Sequence, residues 1–183
     1  MYLIASRPDI AFNVGICSRF QSNPKVSHLN IVKRIIKYVS GTCDYGLFYS
    51  KESNLSLVSF SDLDWASNAN DRKSTIGRCF YVRAILVDLM SRKQNSVSLS
   101  TVKAEYIAAG SCCSQLLWMK KLLSDYWITQ DTMIVYCDNS NAIDISKNPV
   151  QHFKTKHIEI IYHFISDLVE RKIVALEYIH TKH

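Results

Sequence analysis

Long apolar runs are missing. No stretch of about 18 uninterrupted apolar residues occurs, so no membrane-spanning helix is expected. Glycine and proline are scarce, five and three in 183 residues, which argues against a low-complexity or disordered chain. The six cysteines, Cys17, Cys43, Cys79, Cys112, Cys113 and Cys137, contain no Cys-x-x-C pair and no matching Cys/His ligand spacing. A zinc site is therefore not expected, and thiols set inside apolar patterns read as buried and free. Such usage fits a reducing, intracellular setting, cytoplasmic or nuclear. Met1 to Pro8 lacks the charged-then-apolar layout of a signal peptide, and no internal repeat is visible.

What remains is ordinary globular material. The chain is 48% hydrophobic and 21% charged, and its length suits one domain, or one domain with an appendage. Its net charge is +6. Residues 1–50 carry six Lys/Arg against two Asp/Glu, so most of the excess is N-terminal. A basic balance permits a polyanionic partner without requiring one. Nothing points to a small-molecule cofactor.

Hydrophobic spacing predicts a helix over 8–21, entered at Pro8 and broken at Asn23-Pro24. A second helix is predicted over 27–40, with Leu29, Val32, Ile35, Ile36 and Val39 as its buried stripe and Gly41 as its stop. Lys33, Arg34 and Lys37 lie toward its other face, where they form either a solvated surface or one that rides on nucleic-acid phosphates. Strands are predicted over 46–50, 55–61, 75–82 and 85–90, the last two flanking Arg83-Ala84, a poor tight turn. A long helix follows from about Thr101 to Tyr126, its small residues Ala104, Ala108, Ala109 and Gly110 suited to close packing on a sheet. Further strands are predicted over 133–137 and 173–179. Between them fall a short helix from Asn139 to Ser146 and another capped by Thr155. Strands first and alternation later predict an α/β fold, a mixed sheet with helices on its faces.

Three acids stand at the ends of these elements: Asp62 after the strand that begins at Leu55, Glu105 in the first turns of the long helix, and Asp138 after Cys137. Clustered carboxylates repel unless a cation sits between them, and hard divalent cations prefer oxygen ligands. If the elements lie side by side, the three acids fit a magnesium site for phosphodiester chemistry. By spacing alone they equally fit ordinary surface acids.

The words around those acids are more specific. Ser61-Asp62-Leu63-Asp64-Trp65-Ala66, Arg72-Lys73-Ser74-Thr75-Ile76-Gly77, Ser91-Arg92-Lys93-Gln94 and Leu99-Ser100-Thr101-Val102-Lys103-Ala104-Glu105-Tyr106 occur in succession. Trp118-Met119-Lys120, Tyr136-Cys137-Asp138-Asn139, Asn148-Pro149-Val150 and Thr155-Lys156-His157-Ile158-Glu159 follow. The set resembles the ribonuclease H region of copia-type LTR retrotransposon Pol polyproteins, particularly plant ones. Ser6-Arg7-Pro8-Asp9-Ile10, Ser18-Arg19-Phe20 and Gly41-Thr42 resemble the tail of the reverse transcriptase that precedes it.

The resemblance implies a helical reverse transcriptase tail over 1–50 and, over 51–183, a ribonuclease H-like five-stranded mixed sheet with flanking helices. It implies hydrolysis of the RNA strand of an RNA–DNA hybrid with Mg2+ or Mn2+. By motif, Asp62, Glu105 and Asp138 would be the catalytic, metal-binding acids, Asp62 bridging two cations and the others holding one each. Asp64 is either a further acid of the site or a solvated one. Asn139 would read the RNA minor groove or cap the next helix. Lys156 and His157 would contact phosphate or serve as helix-start context, and Lys33 and Lys37 would contact the nucleic acid. His180 and His183 support no assignment.

Three departures from the family pattern imply impaired chemistry, with an inactive nucleic-acid- or partner-binding remnant as the alternative. The pattern continues past His183 with a helix carrying a fourth acid, for which Glu159 is the nearest substitute here. Lys103 stands where a Glu would complete a capping box. Arg83-Ala84 and Asp88-Leu89 replace a Gly-containing turn and a Ser-Trp pair.

Overall fold

The computed structural model describes residues 4, 6–46, 55–65, 72–94, 97, 98, 100–147 and 156–180, without the side chains of 156–159 and 162. The strand expected over 46–50 therefore falls almost wholly outside the described residues, as do the Asn148-Pro149 break and His183. Residues 4 and 6 are helical, and α1 (Pro8–Arg19) and α2 (Val26–Gly41) come next. Then follow β1 (Leu57–Asp64), β2 (Thr75–Val82), β3 (Ile85–Lys93), α3 (Thr101–Ser124), β4 (Met133–Cys137), α4 (Ser140–Lys147), α5 (Lys156–Glu170) and β5 (Val174–Tyr178).

The five strands form one sheet in the order β3-β2-β1-β4-β5. β1, β2 and β3 pair antiparallel, whereas β1–β4 and β4–β5 are parallel. Alternation in β1 buries Leu57, Ser59 and Ser61 on one face and turns Val58, Phe60 and Asp62 to the other. In β4, Met133, Val135 and Cys137 take the buried positions. Helices α3, α4 and α5 cover that buried face and complete a core with Leu116, Ile143, Ile165, Val174 and Leu176. On the opposite face Phe60 stacks on Tyr136 at 4.9 Å and meets Tyr81 edge-on at 5.5 Å.

Small side chains let α3 come close. Ala104, Ala108 and Ala109 are fully buried, and α3 packs on β1. Gly110 does different work from that expected: it faces α5 rather than the sheet, and a Cβ there would lie 2.9 Å from Ile161 Cγ2. The Arg83-Ala84 turn closes with Arg83 at φ 61°, the left-handed conformation that side chains disfavour. β2 and β3 lose register between Phe80 and Tyr81, a bulge beside Asp88 that interrupts the ladder where the acid enters β3.

The N-terminal helices depart from expectation more sharply. None of α2 is buried: Leu29, Val32 and Ile36 are exposed, and Ile35 and Val39 are only partly covered. The predicted stripe exists, but α2 packs on α1, and it is α1 that lies against β3. One narrow helix cannot cover the whole apolar face. Buried thiols are also fewer than expected. All six cysteines are free, but Cys43 is exposed, and Cys17 and Cys79 are partly so.

Gly15 and Gly110, both within helices, generate opposite predictions. Gly15, exposed on α1 with open space around it, should tolerate Ala and gain about 0.5–1 kcal/mol. Gly110→Val should cost about 1–3 kcal/mol by forcing α3 from Ile161. Denaturant midpoints of the two variants check both signs.

Candidate metal centre

The parallel β1–β4 register places Ser61 beside Cys137, so Asp62 and Asp138 are each the next residue along adjacent strands. Neighbouring strands run about 4.8 Å apart, which brings the two acids to one end of the sheet. Glu105 descends on that end from the first turns of α3. Ser100 Oγ caps α3 by accepting from the Lys103 N–H at 3.2 Å, so the helix starts firmly without the absent Glu. Buried Gln94 adds a second hold: its Nε2 donates to the Ala104 carbonyl at 3.1 Å, while Ser98 Oγ donates to its Oε1. Together they fix the turn that carries Glu105.

Glu105 is only 5% exposed. A carboxylate oxygen of Glu105, one of Asp138 and the Cys137 sulfur lie within 4.8 Å of one another. The Cys137 thiol donates weakly to Glu105 Oε2 at 3.9 Å. Burial, reinforced by the charges of Asp138 and then Asp62, pushes the Glu105 carboxyl up to about 8. Burial also drives the Cys137 thiol up to about 12, with Glu105 and Asp138 adding to the effect. A buried carboxyl facing two further acids is short of positive charge, and oxygen donors of this kind fit a hard divalent cation.

Of the three acids, Glu105 and Asp138 are brought together. Asp62 is near enough to act on Glu105 but stands outside the 4.8 Å trio. β1 runs on to Asp64, which keeps Asp62 on the face of Phe60, whereas β4 ends at Cys137 and Asp138 lies beyond the strand. Asp62 and Asp64 lie inside β1 rather than beyond its end, and both are exposed. Asn139 caps α4, its Oδ1 accepting from the Ala142 N–H at 3.1 Å. Lys33 and Lys37 are exposed on α2, which reaches the sheet through α1 at β3, the strand edge away from β4. The side chains of Lys156, His157 and Glu159 lie outside the described residues. Sequence reading passed over Cys137, Ser61 and Gln94 as participants. The signal was available for Cys137, which alternates onto the core face one residue before Asp138.

The raised carboxyl sets a pH dependence. Between about 4.5 and about 8 the folded chain keeps the Glu105 proton that the unfolded chain has lost, so stability falls as pH rises through that window. Metal-free protein should show a falling thermal midpoint across that range. Glu105→Gln should flatten that part of the slope, and Mg2+ should oppose it in the parent chain only. Thermal scans at several pH values, with and without the cation, check all three.

No family model matches the chain. It is similar to the retrovirus-related Pol polyprotein from transposon TNT 1-94 of Nicotiana tabacum, at 38% identity over 168 residues. That match covers 92% of this chain and 13% of the relative. The Pol polyprotein from transposon RE2 of Arabidopsis thaliana is 35% identical over 181 residues, 98% of this chain and 12% of the relative. The chain thus spans about an eighth of the length of these relatives. Among solved structures, LC11-RNase H1 isolated from compost superposes with a TM-score of 0.52 at 15% identity, over 71% of this chain and 87% of that one. The same enzyme in complex with an RNA/DNA hybrid gives 0.50 at 12% identity, over 69% and 87%. At these identities the superpositions speak for the fold alone. By its similarity to these relatives, then, this chain belongs to the copia-type retrotransposon Pol polyproteins, and its own fold is ribonuclease H-like.

Proposed function

We propose that the chain is a reverse transcriptase tail over 1–50 joined to a ribonuclease H-like domain over 51–183, acting on the RNA strand of RNA–DNA hybrids. The observation that carries this reading is the buried Glu105 carboxyl set against Asp138, with Asp62 close enough to repel it. A magnesium or manganese ion held by Glu105 and Asp138, with Asp62 at its edge, would neutralise charge at a phosphate oxygen and acidify an attacking water. The chain's own part is positional. Ser100 and Gln94 fix the α3 turn that bears Glu105, and the β1–β4 register sets Asp62 level with Asp138. Asn139 holds the start of α4 immediately after Asp138. Rigid supports of this kind matter because a displacement near 1 Å costs about 100-fold in rate.

One observation favours the second reading, an inactive remnant that binds nucleic acid. Asp62 lies outside the tight trio, so a second cation has fewer carboxylates to hold it. On either reading the substrate is a polyanion, in keeping with the net charge of +6.

Incubation of the whole chain with a labelled RNA–DNA hybrid and Mg2+ separates the two. The nuclease reading predicts slow, magnesium-dependent cleavage of the RNA strand that falls by about 100-fold or more in Asp62→Asn. Hybrid binding without cleavage, indifferent to the Asp62 change, supports the remnant instead.

A further inference from the structure

The sulfur in the trio is out of place for a magnesium site. Hard cations take oxygen, whereas thiolate selects zinc and its heavier relatives. Cys137 Sγ stands 3.9 Å from Glu105 Oε2, and both lie within 4.8 Å of an Asp138 oxygen. Tetrahedral zinc with bonds near 2.3 Å to sulfur and 2.0–2.2 Å to oxygen sets such ligands about 3.6 Å apart. Contraction by a fraction of an ångström would bring the Cys137–Glu105 edge to that length, and the edges to Asp138, within 4.8 Å, would close by at most about 1.4 Å. A second feature points the same way. Ser61 is 5% exposed, and its Oγ lies beside the buried Cys112 thiol without a hydrogen bond of ordinary geometry. The β1–β4 register sets this hydroxyl next to Cys137 on the same buried face, where it suits a water in a fourth coordination position.

We propose that Cys137, Glu105 and Asp138 form a site for a thiophilic divalent cation of the zinc class, and that its occupancy excludes the hard cation from the shared carboxylates. Ligation converts the Cys137 S–H to thiolate and releases that proton to the buffer together with the one the metal-free Glu105 carboxyl keeps, with no redox change. No linear motif announces such a site, since Glu105 and Cys137 are 32 residues apart in sequence and meet only through the packing of α3 on the sheet. Its two carboxylates are shared with the nuclease reading, but Asp62 is not part of it.

Cadmium is the probe, because a cadmium–thiolate bond adds an ultraviolet charge-transfer band. Titration of the whole reduced chain with Cd2+ alone should produce the band with one-site stoichiometry, and Zn2+ should displace it far more effectively than Mg2+. Cys137→Ser should abolish the band, and Asp138→Asn should weaken it. A Cys17→Ser/Cys43→Ser double variant, lacking two of the more accessible thiols, should keep it, and so should Asp62→Asn. Loss of the band in the double variant, its persistence in Cys137→Ser, or its absence from the parent chain overturns the assignment. Should Cys137→Ser fail to fold, the double variant and Asp138→Asn still decide. Magnesium-dependent cleavage intact without a cadmium band would refute this inference alone. A band kept in Asp62→Asn without any cleavage in the parent chain would refute the nuclease reading alone.

Discussion

Glu105 sits with its carboxyl almost out of solvent and two more acids near enough to repel its charge, and this repulsion is the constraint from which the candidate site follows. A lone carboxyl in that position escapes the cost by keeping its proton, which is why it is pushed up to about 8. The packing does not allow the other escape, a swing into water. Glu105 is fixed on a helix whose neighbouring positions, Ala104, Tyr106, Ala108 and Ala109, are buried, and whose first turn is tied down by Ser100 and Gln94. A cation is the remaining way to relieve the charge with all three acids ionised.

The sheet supplies the other half of that constraint. Parallel pairing of β1 with β4 makes Asp62 and Asp138 successive residues beyond a shared rung, Ser61 beside Cys137. Two parallel neighbours need a long connection, here the β2–β3 hairpin followed by α3, and that connection is what lays Glu105 over the strand ends. Alternation then sorts the donors. Cys137 and Ser61 point into the helical layer with Glu105, and Asp62 points away.

Much of this was legible in the residues, for reasons that differ by element. The limits of β2 and β4 agreed with their apolar patterns, and the long helix ended within two residues of its expected limit. Period-two and 3.6-residue patterns are strong where one face is buried. The α2 stripe was equally clear as a pattern, but amphipathicity says only that a face is apolar and not what covers it. The same limit applies to Gly110, which reads as a sheet contact and meets α5. The grouping of Glu105 with Asp138 followed from reading each acid as the end of an element. The thiol between them did not, because Cys137 reads as one more apolar residue until the helix is docked. Asn139 shows the reverse case: the modest role of helix cap is the contact observed.

The central claim is that the Glu105 carboxyl is held protonated by its burial and by the neighbouring acids, and ionises when a divalent cation joins them. Infrared or carbon NMR titration of an isotopically labelled Glu105 carboxyl, without and with Mg2+, tests it most directly. The account predicts a midpoint near 8 in the metal-free chain, and a marked fall on adding the cation. A midpoint near the ordinary 4.5 without metal, or a raised one that saturating Mg2+ leaves in place, would contradict it.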